Sequence, residues 1–169
     1  VQYTNNKILL TIGEFHNRSL AQDNNYLFGK IISIDLGTND YEIISKGHRN
    51  PQGLYYDKNK NIIISTEHGP QGGDEININS YLDNNIIENY GWPISSYGDS
   101  YFEKNKIKYK KDHFNHGFKE PVFSFVPSIG ISELIKLPNN FSAYWKDNFI
   151  VSSLYGSSLY RIKFNEGLN

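Results

Sequence analysis

Hydrophobic residues occur along this chain in short runs that are separated by turn-forming residues. The runs lie at residues 8–12, 30–35, 41–44, 53–56, 61–66, 122–125, 129–135, 148–154 and 159–164. Segments of about four to seven residues between turns are typical of β-strands, and no window has the ~3.6-residue period of an amphipathic helix. The pattern therefore predicts an all-β protein.

Two segments carry further structural predictions. The turn-forming sequence DKNK (57–60) separates two apolar runs, so residues 53–66 are predicted to form a hairpin. The interval 95–119 is polar and aromatic without clear periodicity, and we interpret it as an insertion loop.

Composition limits the class of protein. The 169 residues are enough for one sizeable core, so a single domain over residues 1–169 is expected. A net charge of −1 argues against a nucleic-acid partner, and no run approaches the ~18 apolar residues of a membrane span. The chain has no cysteine, which excludes a disulfide scaffold and a thiolate metal site.

The segment GHRNPQG (47–53) is the first of two loops whose composition points to chemistry. Pro51 disfavours helical backbone at Asn50 and favours an extended conformation there. Arg49 and Asn50 are therefore displayed on a rigid loop, where a guanidinium fork can bind carboxylate oxygens bidentately. The alternative is that Arg49 pairs with Asp74 or Glu75.

The segment EHGPQGGDEIN (67–77) is the second loop. Its glycines permit backbone conformations that other residues resist, and Pro70 has no N–H donor. We expect a turn with free carbonyls beside Asp74 and Glu75, and such oxygen atoms are the ligands that Ca²⁺ prefers. A tight turn without a metal is the simpler alternative.

These two loops and the later segment NYGWP (89–93), in this order and spacing, resemble the glucose/sorbosone dehydrogenase family of soluble sugar dehydrogenases that use pyrroloquinoline quinone (PQQ). Weaker similarity lies within residues 11–36 (TIGE, AQDNN, GKIISIDL) and 120–162 (EPVFSF to LYGSSLYRI). The resemblance implies a β-propeller of about six blades. At roughly 40–45 residues per blade, the chain holds about four, so we expect it to be part of a longer protein.

The resemblance also implies site residues. Arg49 and Asn50 match the family's cofactor-binding pair, and Asp74 matches an acidic residue on the substrate side of the pocket. The carbonyls of Gly69 and Pro70 match ligands of the Ca²⁺ that polarises the quinone.

A second, structural Ca²⁺ site is implied by Glu75 and the carbonyl of Tyr90, which match its ligands. The alternative for both residues is an ordinary surface or core position.

The histidines and Trp92 receive plainer interpretations. We interpret His48 as orienting its loop and Trp92 as a core residue, while His68 is a candidate for facing the cofactor. The spacing in HFNH (113–116) does not match a zinc site, so His113 and His116 are interpreted as residues of a solvated loop.

Three features depart from the family pattern. The family's general base is a His on a segment that would lie upstream of Val1, so no catalytic residue is assigned here. Phe15 stands where the family has a polar substrate residue, and Tyr155 where it has a cofactor-binding Lys. Residues 1–169 alone are therefore predicted to be inactive.

Two functions follow from the resemblance. In the first, the longer protein is a periplasmic or secreted enzyme that oxidises the anomeric carbon of an aldose to a lactone, with electrons passing to PQQ. In the second, the propeller is a non-catalytic binding module that keeps the loops for architecture or Ca²⁺. The intact loop motifs favour the first function, and Phe15 and Tyr155 favour the second.

Overall fold

The structure, a computed structural model, describes residues 1–80, 86–101 and 107–165. The strands formed by these residues are β1 (Gln2–Thr4), β2 (Lys7–Ile12), β3 (Lys30–Asp35), β4 (Tyr41–Lys46), β5 (Pro51–Asp57), β6 (Ile62–Glu67), β7 (Asp74–Ser80), β8 (Glu88–Asn89), β9 (Phe123–Phe125), β10 (Ile131–Lys136), β11 (Phe149–Ser153) and β12 (Ser158–Ile162). Short 3₁₀ helices lie at Arg18–Gln22, His113–His116 and Ala143–Trp145. Within these ranges no helix has the length and apolar character needed to cross a membrane.

The strands form three sheets. Their strand orders are β1-β2-β3-β4-β8, β5-β6-β7-β9 and β10-β11-β12, and the neighbours are antiparallel except for β4 and β8. The predicted all-β class is confirmed. Chain length predicted about four blades, whereas the described residues give three sheets. The difference lies in residues 90–101 and 107–122, which form loops, isolated bridges and the 3₁₀ helix His113–His116 rather than a further sheet.

The nine predicted runs each overlap an observed strand, and the predicted hairpin is the β5–β6 pair, with Asp57 opposite Ile62. Its turn is closed by the carboxylate of Asp57, which accepts hydrogen bonds from the backbone N–H groups of Asn59 and Lys60 at 3.0 and 3.2 Å. The sequence pattern missed β1, β7 and β8. In β7 the reason is its polar sequence, DEININS.

The hydrophobic core lies between the sheets. Isoleucines of β6 and β7 pack against β10 and β11, and a second cluster joins β2 and β3 to β5 and β6. Close approach of β5 and β10 requires Gly53, since an added Cβ atom would lie 2.7 Å from the backbone nitrogen of Leu134. Thr66 then links the sheets, because its hydroxyl donates to the carbonyl of Ser132 and accepts from the N–H of Gly53.

The register of the second sheet brings the two predicted loops together. Pro51 pairs with Glu67 across β5 and β6, and Glu67 pairs with Glu75 across β6 and β7. The loop before β5 and the loop between β6 and β7 therefore lie at the same end of this sheet.

Candidate functional site

The candidate site lies at this end of the second sheet, around a cavity of about 10 Å³. Five of the residues predicted to bind cofactor or metal line it: Arg49, Gly69, Pro70, Glu75 and Tyr90. A cavity of this size holds about one water molecule. The cavity itself therefore has no room for a larger ligand.

The buried carboxylate of Glu67 holds the first loop (residues 47–53) in place. One carboxylate oxygen lies 2.8 Å from Nδ1 of His48, whose Nε2 lies 2.8 Å from the hydroxyl of Ser45. The other oxygen accepts the backbone N–H of Arg49. The ring of His48 also stacks on Tyr90 with centroids 4.8 Å apart. These contacts fix the backbone at His48 and Arg49, which agrees with the interpretation of His48 as a residue that orients its loop.

Asp74 organises the second loop. It is 1% exposed, and its carboxylate accepts the backbone N–H groups of Gly69, Ile129 and Ile131 at 3.2, 3.1 and 2.9 Å. The structure thus places Asp74 beneath the loop as a tie to the 129–131 segment, and its substrate role stays a prediction.

Glycine is required in the second loop by close contacts. A Cβ atom on Gly69 would lie 1.8 Å from the carbonyl oxygen of Gly73. Gly73 has a φ of +149°, and a Cβ atom there would lie 2.4 Å from the backbone nitrogen of Gly98. The loop is therefore folded tightly on itself and against residues 97–98.

The environment of Asp74 lowers the pKa of its carboxyl group. Burial acts to raise the pKa of Asp74, but interactions with the side chain of His68, the backbone N–H of Ile131 and the side chain of Ser128 outweigh it, so this pKa lies below its ordinary value. A carboxylate whose pKa is lower in the folded than in the unfolded state stabilises the fold fully above the unfolded-state pKa, which is about 4. That stabilisation is lost as pH falls through the folded-state pKa.

Replacing Asp74 with asparagine is expected to lower the free energy of unfolding at pH 7 by about 2–4 kcal/mol, because the amide leaves buried N–H donors without a charged acceptor. The difference between wild type and variant should shrink as pH falls below about 4. Urea unfolding between pH 3 and pH 7 checks this. A difference that is independent of pH would show that the charge of Asp74 does not stabilise the loop.

Glu75 and Tyr90 both line the cavity. Glu75 is 6% exposed, and the side-chain amide of Asn77 lies 3.5 Å from it and 3.4 Å from Glu67. Burial, and then the negative charge of Glu67, raise the pKa of Glu75 well above its ordinary value. The hydroxyl of Tyr90 donates to the carbonyl of Ile78 at 2.9 Å.

The interpretation of His113 as a solvated loop residue is wrong. His113 is 1% exposed, and its ring stacks on Tyr97 with centroids 5.2 Å apart. Its Nε2 lies 3.7 Å from a carboxylate oxygen of Glu75. Burial lowers the pKa of His113 below its ordinary value. The 3₁₀ helix that carries His113 places this side chain in the wall of the cavity, beside Glu75. Nothing in the local sequence HFNH indicates this.

The predicted calcium ligands are mostly backbone carbonyls, namely those of Gly69, Pro70 and Tyr90. The carbonyl of Pro70 accepts a hydrogen bond from the hydroxyl of Ser128 at 3.3 Å. Within the described ranges, no three His, Asp or Glu side chains converge as metal ligands. The calcium sites therefore stay predictions.

Trp92 joins the first loop to the rest of the site. It is 3% exposed and packs with Ala21 and Tyr109, which confirms the interpretation of Trp92 as a core residue. The guanidinium of Arg49 lies over its ring at 5.5 Å, and that of Arg18 at 5.6 Å, from the ring centroid. Sequence reasoning assigned no role to Arg18 or Tyr109, because only the fold brings these residues to Trp92.

The two departures from the family pattern lie at the surface. Phe15 is 68% exposed and packs edge-on against Phe28 with centroids 6.2 Å apart. Tyr155 is 80% exposed, and its backbone N–H donates to the carbonyl of Ile129 at 3.0 Å. Neither side chain lines the cavity, so neither changes the contacts among the residues that do.

Comparison with known proteins gives a consistent result. The sequence profile described as "Glucose / Sorbosone dehydrogenase" matches residues 1–169. The aldose sugar dehydrogenase YliI of Escherichia coli (strain K12) is 32% identical over 160 residues, which are 87% of this chain and 42% of that protein.

Solved structures resemble the fold as well. A glucose dehydrogenase aligns with a TM-score of 0.80 and 28% identity, over 94% of this chain and 48% of its own. The PQQ-bound form of an aldose sugar dehydrogenase from Streptomyces coelicolor aligns with a TM-score of 0.67 and 22% identity, over 95% of this chain and 42% of its own. The three sheets are therefore part of a β-propeller, as predicted, and the chain spans less than half the length of each of these proteins.

Proposed function

Because the chain belongs to the glucose/sorbosone dehydrogenase family, we propose that the protein at its full natural length is a PQQ-dependent dehydrogenase that oxidises the anomeric carbon of an aldose to a lactone. Residues 1–169 supply the cofactor-binding loops. The family resemblance assigns no general base among these residues. A periplasmic or extracellular location accompanies this proposal.

One observation carries the proposal: the half-buried guanidinium of Arg49 stands beside the Gly69–Pro70 loop with its backbone already fixed. Within the described residues no carboxylate lies at ion-pair distance from it. This argues against the alternative in which Arg49 pairs with Asp74 or Glu75. A fixed cation without a carboxylate partner among the described residues fits a ligand that carries carboxylates, as PQQ does.

Each residue contributes binding or orientation in this proposal. Arg49 and Asn50 would hold the carboxylates of PQQ, and the carbonyls of Gly69 and Pro70 would hold Ca²⁺. When bound, PQQ supplies the redox chemistry, and the chain supplies position and electrostatics. Arg49 is kept in place by its side-chain hydrogen bond to the carbonyl of His68 at 3.2 Å. Asp74 accepts the backbone N–H of Gly69 and so helps to hold the second loop in its folded conformation.

The second candidate function is a binding module without catalysis. It is favoured by Phe15, which presents an exposed apolar ring where the family has a polar substrate residue, and by Tyr155, which removes a cation. In this case the loops would keep their architecture while PQQ binding is lost.

Reconstitution separates the two functions. The protein at its full natural length, incubated with PQQ and Ca²⁺, is expected to reduce an artificial dye when an aldose is added. Omission of PQQ or of the sugar should abolish the dye reduction. A well-folded protein that binds PQQ in no condition would favour the binding module.

A further inference from the structure

Beyond Arg49, a second arginine approaches the same indole ring. The guanidinium carbon of Arg18 lies 5.6 Å, and that of Arg49 5.5 Å, from the ring centroid of Trp92. The two residues come from different loops, the one between β2 and β3 and the one between β4 and β5. Both are half-buried, so a ligand can reach them.

The two guanidinium groups near Trp92 are not paired with carboxylates among the described residues. Glu14 is one acidic neighbour, and it is 7% exposed with one buried oxygen that has no hydrogen-bond partner among the described residues. Glu67 and Glu75 are two others, since they line the same cavity as Arg49 and Trp92. Within the described residues, the two guanidinium groups beside Trp92 therefore have no ion-pair partner of their own.

The pKa of Tyr109 is affected by the same charged side chains that surround Trp92. Its ring lies 5.2 Å from that of Trp92. Burial raises the pKa of the Tyr109 hydroxyl, the charges of Arg18 and Arg49 act in the opposite direction, and that of Glu14 adds to the effect of burial. All three charged side chains are thus close enough to act on one hydroxyl group.

The loop that carries Arg18 is held rigidly against the first predicted loop. The ammonium group of Lys30, which is 0% exposed, donates to the carbonyls of Leu20, Ala21 and Phe28 at 3.0, 3.0 and 2.8 Å. The N–H of Gly47 donates to the carbonyl of Ala21 at 3.0 Å. The backbone of the segment that carries Arg18 is therefore positioned by the fold itself.

A further tie fixes this loop to the NYGWP segment. The side-chain amide of Gln22 donates to the carbonyl of Trp92 at 2.6 Å and exchanges hydrogen bonds with the side-chain amide of Asn89. Two like charges near one ring repel each other, and an anion close to both reduces that repulsion. Such a preorganised pair binds a carboxylate-bearing ligand more tightly than either arginine alone.

We propose that Arg18 is a second anion-binding side chain of this site, which acts with Arg49 around Trp92 to hold a ligand with two or more carboxylates. The inference rests on the proposed function for the identity of that ligand as PQQ. The pair itself requires only an aromatic or planar polycarboxylate.

Arg18→Gln and Arg18→Lys, made in the protein at its full natural length, test the proposal. Glutamine keeps the length and packing of the stem but removes the charge, whereas lysine keeps the charge. Arg161→Gln is the matched control, because the guanidinium of Arg161 lies 5.0 Å from the ring centroid of Trp145 in the third sheet. Thermal unfolding of each variant verifies that it is folded.

Two ligands are titrated by tryptophan fluorescence and calorimetry: PQQ with Ca²⁺, and benzene-1,3,5-tricarboxylate as a redox-inert probe. We expect Arg18→Gln to weaken the binding of both by about 10- to 100-fold. Arg18→Lys should recover most of the affinity at low salt, and the salt dependence of wild-type binding should be steeper than that of Arg18→Gln. Arg161→Gln should bind as wild type does.

The outcomes separate this proposal from the proposed function. Unchanged binding in Arg18→Gln, with weakened binding in Arg49→Gln, overturns the role of Arg18 and leaves the function standing. Tricarboxylate binding that depends on Arg18, in a protein that does not bind PQQ, supports Arg18 and overturns the function. Failure of the wild type to bind either ligand overturns both.

Discussion

Replacing Glu67 with alanine is expected to lower the free energy of unfolding by about 3–5 kcal/mol. Glu67 is 4% exposed, and its carboxylate accepts the backbone N–H of Arg49 and lies 2.8 Å from Nδ1 of His48. Alanine leaves both groups buried without an acceptor. Urea unfolding at pH 7, with the midpoint compared at an unchanged slope, measures the loss.

The same variant should also bind PQQ poorly, because the loop that carries Arg49 loses its anchor. Glu42→Ala is the matched control, since Glu42 is paired with Lys7 at 2.9 Å but its side chain is 52% exposed. We expect that control to change stability by less than about 1 kcal/mol. Equal effects of the two substitutions would contradict the role of Glu67 as the anchor of the first loop.

Replacing Arg49 with alanine is expected to weaken PQQ binding by about 100-fold or more, which is the effect of removing one partner of a hydrogen-bonded charge pair. Stability should change little by comparison, since the Arg49 side chain is half-buried and its hydrogen bond to the fold is the one to the carbonyl of His68. Calorimetric titration with PQQ and Ca²⁺ measures the affinity.

Arg49→Lys sharpens this prediction. Lysine keeps the charge but lacks the planar fork, so it should recover part of the affinity and not all of it. Full affinity in Arg49→Ala would mean that the ligand does not contact this loop, and the cofactor role of Arg49 would then be wrong.

Much of the fold could be predicted because its strands are short apolar runs between turns. β3 is predicted at its observed bounds for this reason. β7 could not be, because Asn77 and Asn79 are 0% exposed although their side chains are polar. Burial of those amides depends on neighbouring strands and loops that a local pattern does not contain.

The candidate site likewise has features that the sequence predicts and features that it does not. The two loops could be predicted because their glycine and proline content dictates unusual backbone, and their meeting follows from the antiparallel register that pairs Glu67 with Glu75. The burial of His113 depends on Tyr97 and Glu75, which lie in other segments. The approach of Arg18 to Trp92 likewise depends on packing between two loops. Long-range contacts of this kind leave no local signal.

The most direct measurement is a crystal structure of the protein at its full natural length with PQQ and Ca²⁺ bound. We predict quinone carboxylates against Arg49 and Asn50, and a calcium ion bound by the carbonyls of Gly69 and Pro70. Density for PQQ elsewhere on the protein, or calcium that leaves the second loop empty, would contradict the assignment of this end of the second sheet as the cofactor site.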